Sequence, residues 1–174
     1  MIKSTVLALA FLLLNSSLSL AANPQHIQRL LQTKQCRMCN LAGANLSNID
    51  LSKTDLRSAF LEGANLSGTN LSGADLVGAK LKGANLTNTN LTAANLQRAI
   101  LNQADLNGAD LTSANLDFSF LIKANLTGSK ITGASFVKAN LKEANITGLD
   151  LTGISLSGAI LPDGSVSEES EEEE

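Results

Sequence analysis

Residues 61–80 read Leu-Glu-Gly-Ala-Asn-Leu-Ser-Gly-Thr-Asn-Leu-Ser-Gly-Ala-Asp-Leu-Val-Gly-Ala-Lys, four pentapeptides that each open on Leu. The pattern extends both ways. From Leu41 to Leu161 an apolar residue recurs at every fifth position, 25 in all, of which 22 are Leu. Ile131, Ile146 and Phe136 are the others. Two residues before each the residue is usually small, Ala in 16 of the 25 cases, and one residue before stands Asn or Asp in 17. Ser or Thr often follows the Leu, and Gly often follows that, as in Ala64-Asn65-Leu66-Ser67-Gly68.

This period excludes the simple elements. On an α-helix five residues advance about 140° beyond a full turn, which would scatter the Leu row around the cylinder. On a flat strand an odd period would send successive Leu to opposite faces. The row keeps one side only if the chain turns once per repeat. Ala and Leu then point inward, Asn or Asp between them points outward, and the remaining two residues form the corner. Gly or Asn in the last place suits a type II turn, which needs positive φ there. The fold class is an all-β solenoid.

The number of sides follows from the exceptions. Asn or Asp is missing from the outward slot at Phe60, Lys80, Ile100, Phe120, Lys130, Ser135, Ser155 and Ile160. Five of these, at 60, 80, 100, 120 and 160, are separated by twenty or forty residues. That spacing fits a coil of four pentapeptides and not of three. The side containing Leu46, Leu66 and Leu86 is the most regular, with Gly or Asn at each corner from Asn48 to Gly148.

In these repeats the chain resembles the pentapeptide-repeat family, whose Ala-(Asp/Asn)-Leu-x-x motif covers about 70% of it. The resemblance implies a right-handed, four-sided β-helix, here of about six coils over residues 41–161. Together with the leader described next, the run Gln35-Cys36-Arg37-Met38-Cys39-Asn40-Leu41 is similar to that of cyanobacterial members exported to the thylakoid lumen or periplasm.

Residues 1–21 have the layout of a secretory signal peptide: Lys3, an apolar run from Val6 to Leu14, and Ser19-Leu20-Ala21 before a cut. The run is too short to span a bilayer, so no stable membrane anchor is expected after cleavage. In residues 22–40, Asn23-Pro24 reads as a helix start. Ile27, Leu30 and Leu31 give the short helix an apolar face suited to covering the first coil. Pro162 and Asp163-Gly164 end the pattern, and residues 162–174 are expected to form a disordered acidic tail.

Composition narrows the function. The chain has 13 Lys+Arg, 16 Asp+Glu and one His, for a net charge of −3. Six of the acids are Glu168, Glu169 and Glu171 to Glu174, so the acidity belongs to the tail. From Leu41 to Leu161 there are nine acids and nine bases. Nucleic-acid binding is disfavoured. So is the DNA mimicry of gyrase-binding family members, which needs a dense acidic face. A core of Leu and Ala offers no pocket to desolvate an acid or base, so no catalytic residue, cofactor or metal site is assigned. The outward Asn and Asp are expected to hydrogen-bond nearby backbone. Cys36 and Cys39 are read as a possible structural disulfide, with CxxC redox activity as an alternative. Zinc would need two further good ligands, and only His26 is near in sequence.

One face departs from the consensus. Phe60, Lys80, Ile100 and Phe120 stack at twenty-residue intervals, with Arg57, Arg98, Phe118 and Ile122 beside them. An aligned apolar and basic stripe marks contact more often than scattered residues do. The expectation is a non-catalytic structural or protein-interaction module that uses this face to hold an unidentified protein or a second copy of itself.

Overall fold

The computed structural model describes residues 22–168. The expected signal peptide and the acidic residues 169–174 lie outside them. Helix α1 spans Pro24–Thr33. The Asn23 side chain accepts the Gln25 N–H at 2.9 Å, and Pro24 occupies the first turn, where no N–H is needed. Lys34 ends the helix in the left-handed conformation, donating its N–H to the Leu30 carbonyl. Leu30 is fully buried, and Ile27 and Leu31 pack partly buried against the same core. Among the described residues no helix is long and apolar enough to cross a membrane.

The rest is a β-solenoid held by parallel bridges between residues twenty apart, arranged in four ladders. Ladder A runs Gln35, Asp55, Asp75, Asn95, Asn115, Ser135, Ser155. Ladder B runs Asn40, Phe60, Lys80, Ile100, Phe120, Asn140, Ile160. Ladder C runs from Asn45 to Asn145, and ladder D from Asp50 to Lys130. The outward residue of each pentapeptide lies on a ladder. The Leu after it and the small residue before it face the axis.

Burial follows this alternation. Every Leu of the row from Leu41 to Leu126 is at most 1% exposed, and each contributes roughly 1.5–3 kcal/mol. Two of the three Thr in small slots are satisfied internally: Thr69 and Thr89 donate to the Leu46 and Leu66 carbonyls at 2.6 and 2.8 Å, while the buried Thr54 hydroxyl has no partner among the described residues. Every corner but the one at Ile49 closes with a bond from the small-slot N–H back to the carbonyl three residues before, as from Ala64 to Leu61 at 3.0 Å. The residue before the small one has positive φ throughout, from Met38 to Gly158. Gly68 shows what a corner can demand: a Cβ there would run into the Asn48 Oδ1 stacked against it.

Two boundaries differ from those expected. The solenoid register begins at Gln35, one pentapeptide before Leu41. Gln35 bridges Asp55, Met38 takes the corner φ of 57°, and Cys39 donates to the Cys36 carbonyl at 3.1 Å. Cys36 and Cys39 thus fill the two inward slots held elsewhere by Leu and Ala, which face each other across a corner. Their sulfurs form a disulfide with Cα atoms 5.2 Å apart. At the other end, residues 162–168 are not a loose tail. Asp163 accepts the Ser165 N–H at 2.9 Å and Gly164 turns the chain at φ 89°. Val166 then pairs antiparallel with Ile160, and Ser167 donates to the Ala159 carbonyl at 2.9 Å.

The two ends are unlike. Near α1 the core is closed, whereas ladder D stops at Lys130. Beyond it Ile146, Leu149, Leu151 and Leu156 line an apolar mouth open to solvent. Ile49, Leu149 and Ile154, the three bulky side chains in small-residue slots, all lie near an end, where no further coil limits the space.

Candidate interaction face

Ladder B and the corners beside it carry the residues expected to form a face. The coil dictates their alignment, because bridged residues stack at about 4.8 Å. The Lys80 ammonium lies 4.4 Å from the Phe60 ring centroid, and the Arg98 guanidinium 5.7 Å from that of Phe118. Such pairs contribute about 0.5–1 kcal/mol at exposed sites and hold long cationic side chains flat on the surface. Phe118 and Phe120 are 41% and 45% exposed. Phe60, Ile100 and Ile122 are half-buried. Phe118 occupies a corner at φ 59°, a conformation that disfavours a bulky side chain by about 1–2 kcal/mol.

Arg57 is not brought into this cluster. Its guanidinium is 2.6 Å from Asp55 and 3.5 Å from Asp75, both on ladder A. The hydrogen bond from Arg57 holds the Asp55 carboxyl below its ordinary pKa and raises that of Arg57 in return. Met38 joins the face instead. It is 63% exposed and starts the corner column that continues through Ser58, Gly78, Arg98 and Phe118. Extending the five-residue frame back across the cysteines would have found it. Asp117 and Asn102 serve the backbone beside the face: Asp117 accepts the Val137 N–H at 3.1 Å and the Ser135 hydroxyl, and Asn102 accepts the Ile122 N–H at 3.0 Å.

The disulfide lies apart, buried at the α1 junction, with both cysteines at most 1% exposed. His26 is half-buried there, its Nδ1 accepting the Asn40 N–H at 2.9 Å. Among the described residues no group of three or more His, Cys, Asp or Glu could hold a metal ion. What the arrangement offers chemically is a flat surface of aromatic rings and cations.

The family model for pentapeptide repeats matches in eight copies, over residues 35–73, 49–88, 89–128 and 121–158. Among solved structures, the chain is similar to HetL, a pentapeptide repeat protein involved in heterocyst differentiation regulation from the cyanobacterium Nostoc sp. strain PCC 7120. The identity is 30% over 76% of this chain and 83% of that one, with a TM-score of 0.42. QnrB1, a plasmid-mediated fluoroquinolone resistance protein, shares 17% identity over 71% and 70% of the two chains, with a TM-score of 0.61. A pentapeptide repeat protein from the Arabidopsis thaliana thylakoid lumen shares 24% identity over 68% and 72%, with a TM-score of 0.39. No curated protein matches the chain.

Proposed function

The chain belongs to the pentapeptide-repeat family, and we propose that it is a non-catalytic interaction module of an extracytoplasmic compartment, thylakoid lumen or periplasm. The reading takes the solenoid as right-handed and four-sided, with about six coils and α1 as its cap. The export address rests on Lys3, the Val6 to Leu14 run and the cut after Ala21, which would leave no stable membrane anchor.

One observation carries the functional part. Four successive positions of a single ladder, Phe60, Lys80, Ile100 and Phe120, replace the Asn or Asp that ladder C keeps throughout. Two rings, an aliphatic side chain and one cation follow one another along this ladder, which suits a partner surface that is apolar and carries negative charge, on another protein or on a second copy. The likeness to QnrB1 concerns the fold. The nine acids and nine bases between Leu41 and Leu161 do not favour a DNA mimic, and burial of the disulfide does not favour a redox role. The experiment is an affinity capture from the native compartment, with sedimentation of the protein alone, for the unaltered protein and a Phe60→Ser/Phe120→Ser variant. A partner or dimer lost in the variant supports the reading; equal recovery and equal sedimentation contradict it.

A further inference from the structure

At the first turn of the solenoid, ladder B has no coil beneath it. Everywhere higher on this ladder the outward residue's N–H donates to a carbonyl of the preceding coil: Phe60 to Cys39, Lys80 to Ala59, Ile100 to Ala79 and Phe120 to Ala99, each at 2.9 Å. Asn40 has no such carbonyl. Its N–H donates instead to the His26 Nδ1 at 2.9 Å. The Asn40 carbonyl, which would accept from the missing coil, takes the Asn23 N–H at 3.0 Å. The start of α1 therefore completes the ladder, with an imidazole nitrogen standing where a peptide oxygen stands above.

A carbonyl cannot change its role with pH, but an imidazole can. Nδ1 accepts only while it carries no proton, so the docked state requires the neutral ring with its proton on Nε2. A proton on Nδ1 sets two donors against each other across 2.9 Å. The charged side chains on the elements meeting there are Arg29 on α1, Lys34 and Arg37 in the junction, and Asp50, Lys53, Asp55 and Arg57 on the coil. Lys34 pairs with Asp50 at 3.0 Å and Asp55 with Arg57 at 2.6 Å. Among the described residues, no carboxylate pairs with the ring.

We propose that His26 makes the docking of α1 on the first coil pH-sensitive, so that protonation of its imidazole releases the helix and uncovers the Leu30 contact with the core. The folded contact takes the neutral ring, so the docking is present at higher pH and is lost as pH falls through the imidazole titration. Histidine side chains generally titrate between about pH 5 and 8.

The test is amide hydrogen exchange, expressed as protection factors, at about pH 7.5 and about pH 5. Protection at Asn40, Ile27 and Lys34 should fall about fivefold or more, the loss of one hydrogen bond, while Phe60 and Lys80 stay unchanged. In His26→Asn, whose carboxamide oxygen can accept the same N–H without titrating, the fall should vanish. The chain's one histidine also gives a direct readout, because its ring ¹⁵N shifts should titrate with the midpoint of the Asn40 change. Unchanged protection in the unaltered protein, an equal fall in His26→Asn or at Phe60, or a different midpoint would overturn the proposal.

Discussion

Ladders B and C are built on the same coil and treated differently at the surface. On ladder C every outward residue is Asn or Asp. Each accepts the N–H two residues on, from Ser47 to Thr147, at 3.0 to 3.2 Å. Rungs run along the stack from Asn65 to Asn45 at 3.2 Å and from Asn125 to Asp105 at 2.9 Å. On ladder B, Asn40 and Asn140 keep the local bond, but Phe60, Lys80, Ile100 and Phe120 have no oxygen to offer. The parallel bridges are nonetheless continuous on both ladders. The inward Leu and small residues thus determine the coil, and the outward residue adjusts its stability by about 1 kcal/mol per bond. Asn or Asp is also missing at Lys130 on ladder D and at Ser135 and Ser155 on ladder A, but ladder B lacks it at four successive positions, which is the observation the proposed contact role rests on.

The comparison would break first in the core. Leu66→Ala, next to ladder C, and Leu61→Ala, next to ladder B, each empty a fully buried slot. Both should lower stability by roughly 2–5 kcal/mol in thermal or denaturant unfolding. A large cost on one side only would mean that the two sides do not share a core.

The corners come next. Gly108, in the corner column beside ladder C, has φ 66°, and an added Cβ would meet Asn88 Oδ1 at 2.5 Å. Gly108→Ala should cost about 1–2 kcal/mol. Phe118→Ala, beside ladder B, replaces one side chain already at positive φ and loses the Arg98 contact, so it should cost no more than about 0.5–1 kcal/mol. A sign-revealing pair of similar size is Asn65→Ala, expected to lose about 1 kcal/mol, and Phe60→Asn, where an acceptor restored for the Glu62 N–H offsets the lost Lys80 contact, so that stability changes by less than about 0.5 kcal/mol.

Below about pH 4, acid should act through the Asp residues of ladder D. The Thr112 hydroxyl, with the Thr112 N–H at 3.0 Å and Lys130 adding to it, holds the Asp110 carboxyl below its ordinary 3.8. Ser52, followed by Lys34, does the same for Asp50. Their folded pKa values are depressed, so their contribution is present above the unfolded pKa and is lost as pH falls below about 4. Asp50→Asn/Asp110→Asn should flatten that decline in a pH series of unfolding midpoints.

The repeat made most of this legible in the sequence. Its period gave the inward row, its exceptions at 60, 80, 100 and 120 gave the four ladders, and Asn23-Pro24 gave the helix start. The rest lay where the repeat is broken or where contacts cross it. Cys36 and Cys39 hid an extra pentapeptide because neither residue matches Leu or Ala by type, although their spacing is that of an inward pair. The return of Val166 onto Ile160 has no periodic mark. Nor does the reach of Arg57 to Asp75, or that of His26 to Asn40 fourteen residues away.

The central claim is that ladder B serves contact and not folding, and Phe60→Ser/Phe120→Ser tests it most directly when melting temperature and binding are measured on the same preparation. The account predicts that partner or self-association is lost while stability falls by no more than about 1 kcal/mol, the size of the Lys80–Phe60 contact. A strongly lowered melting temperature, or binding that survives intact, would contradict it.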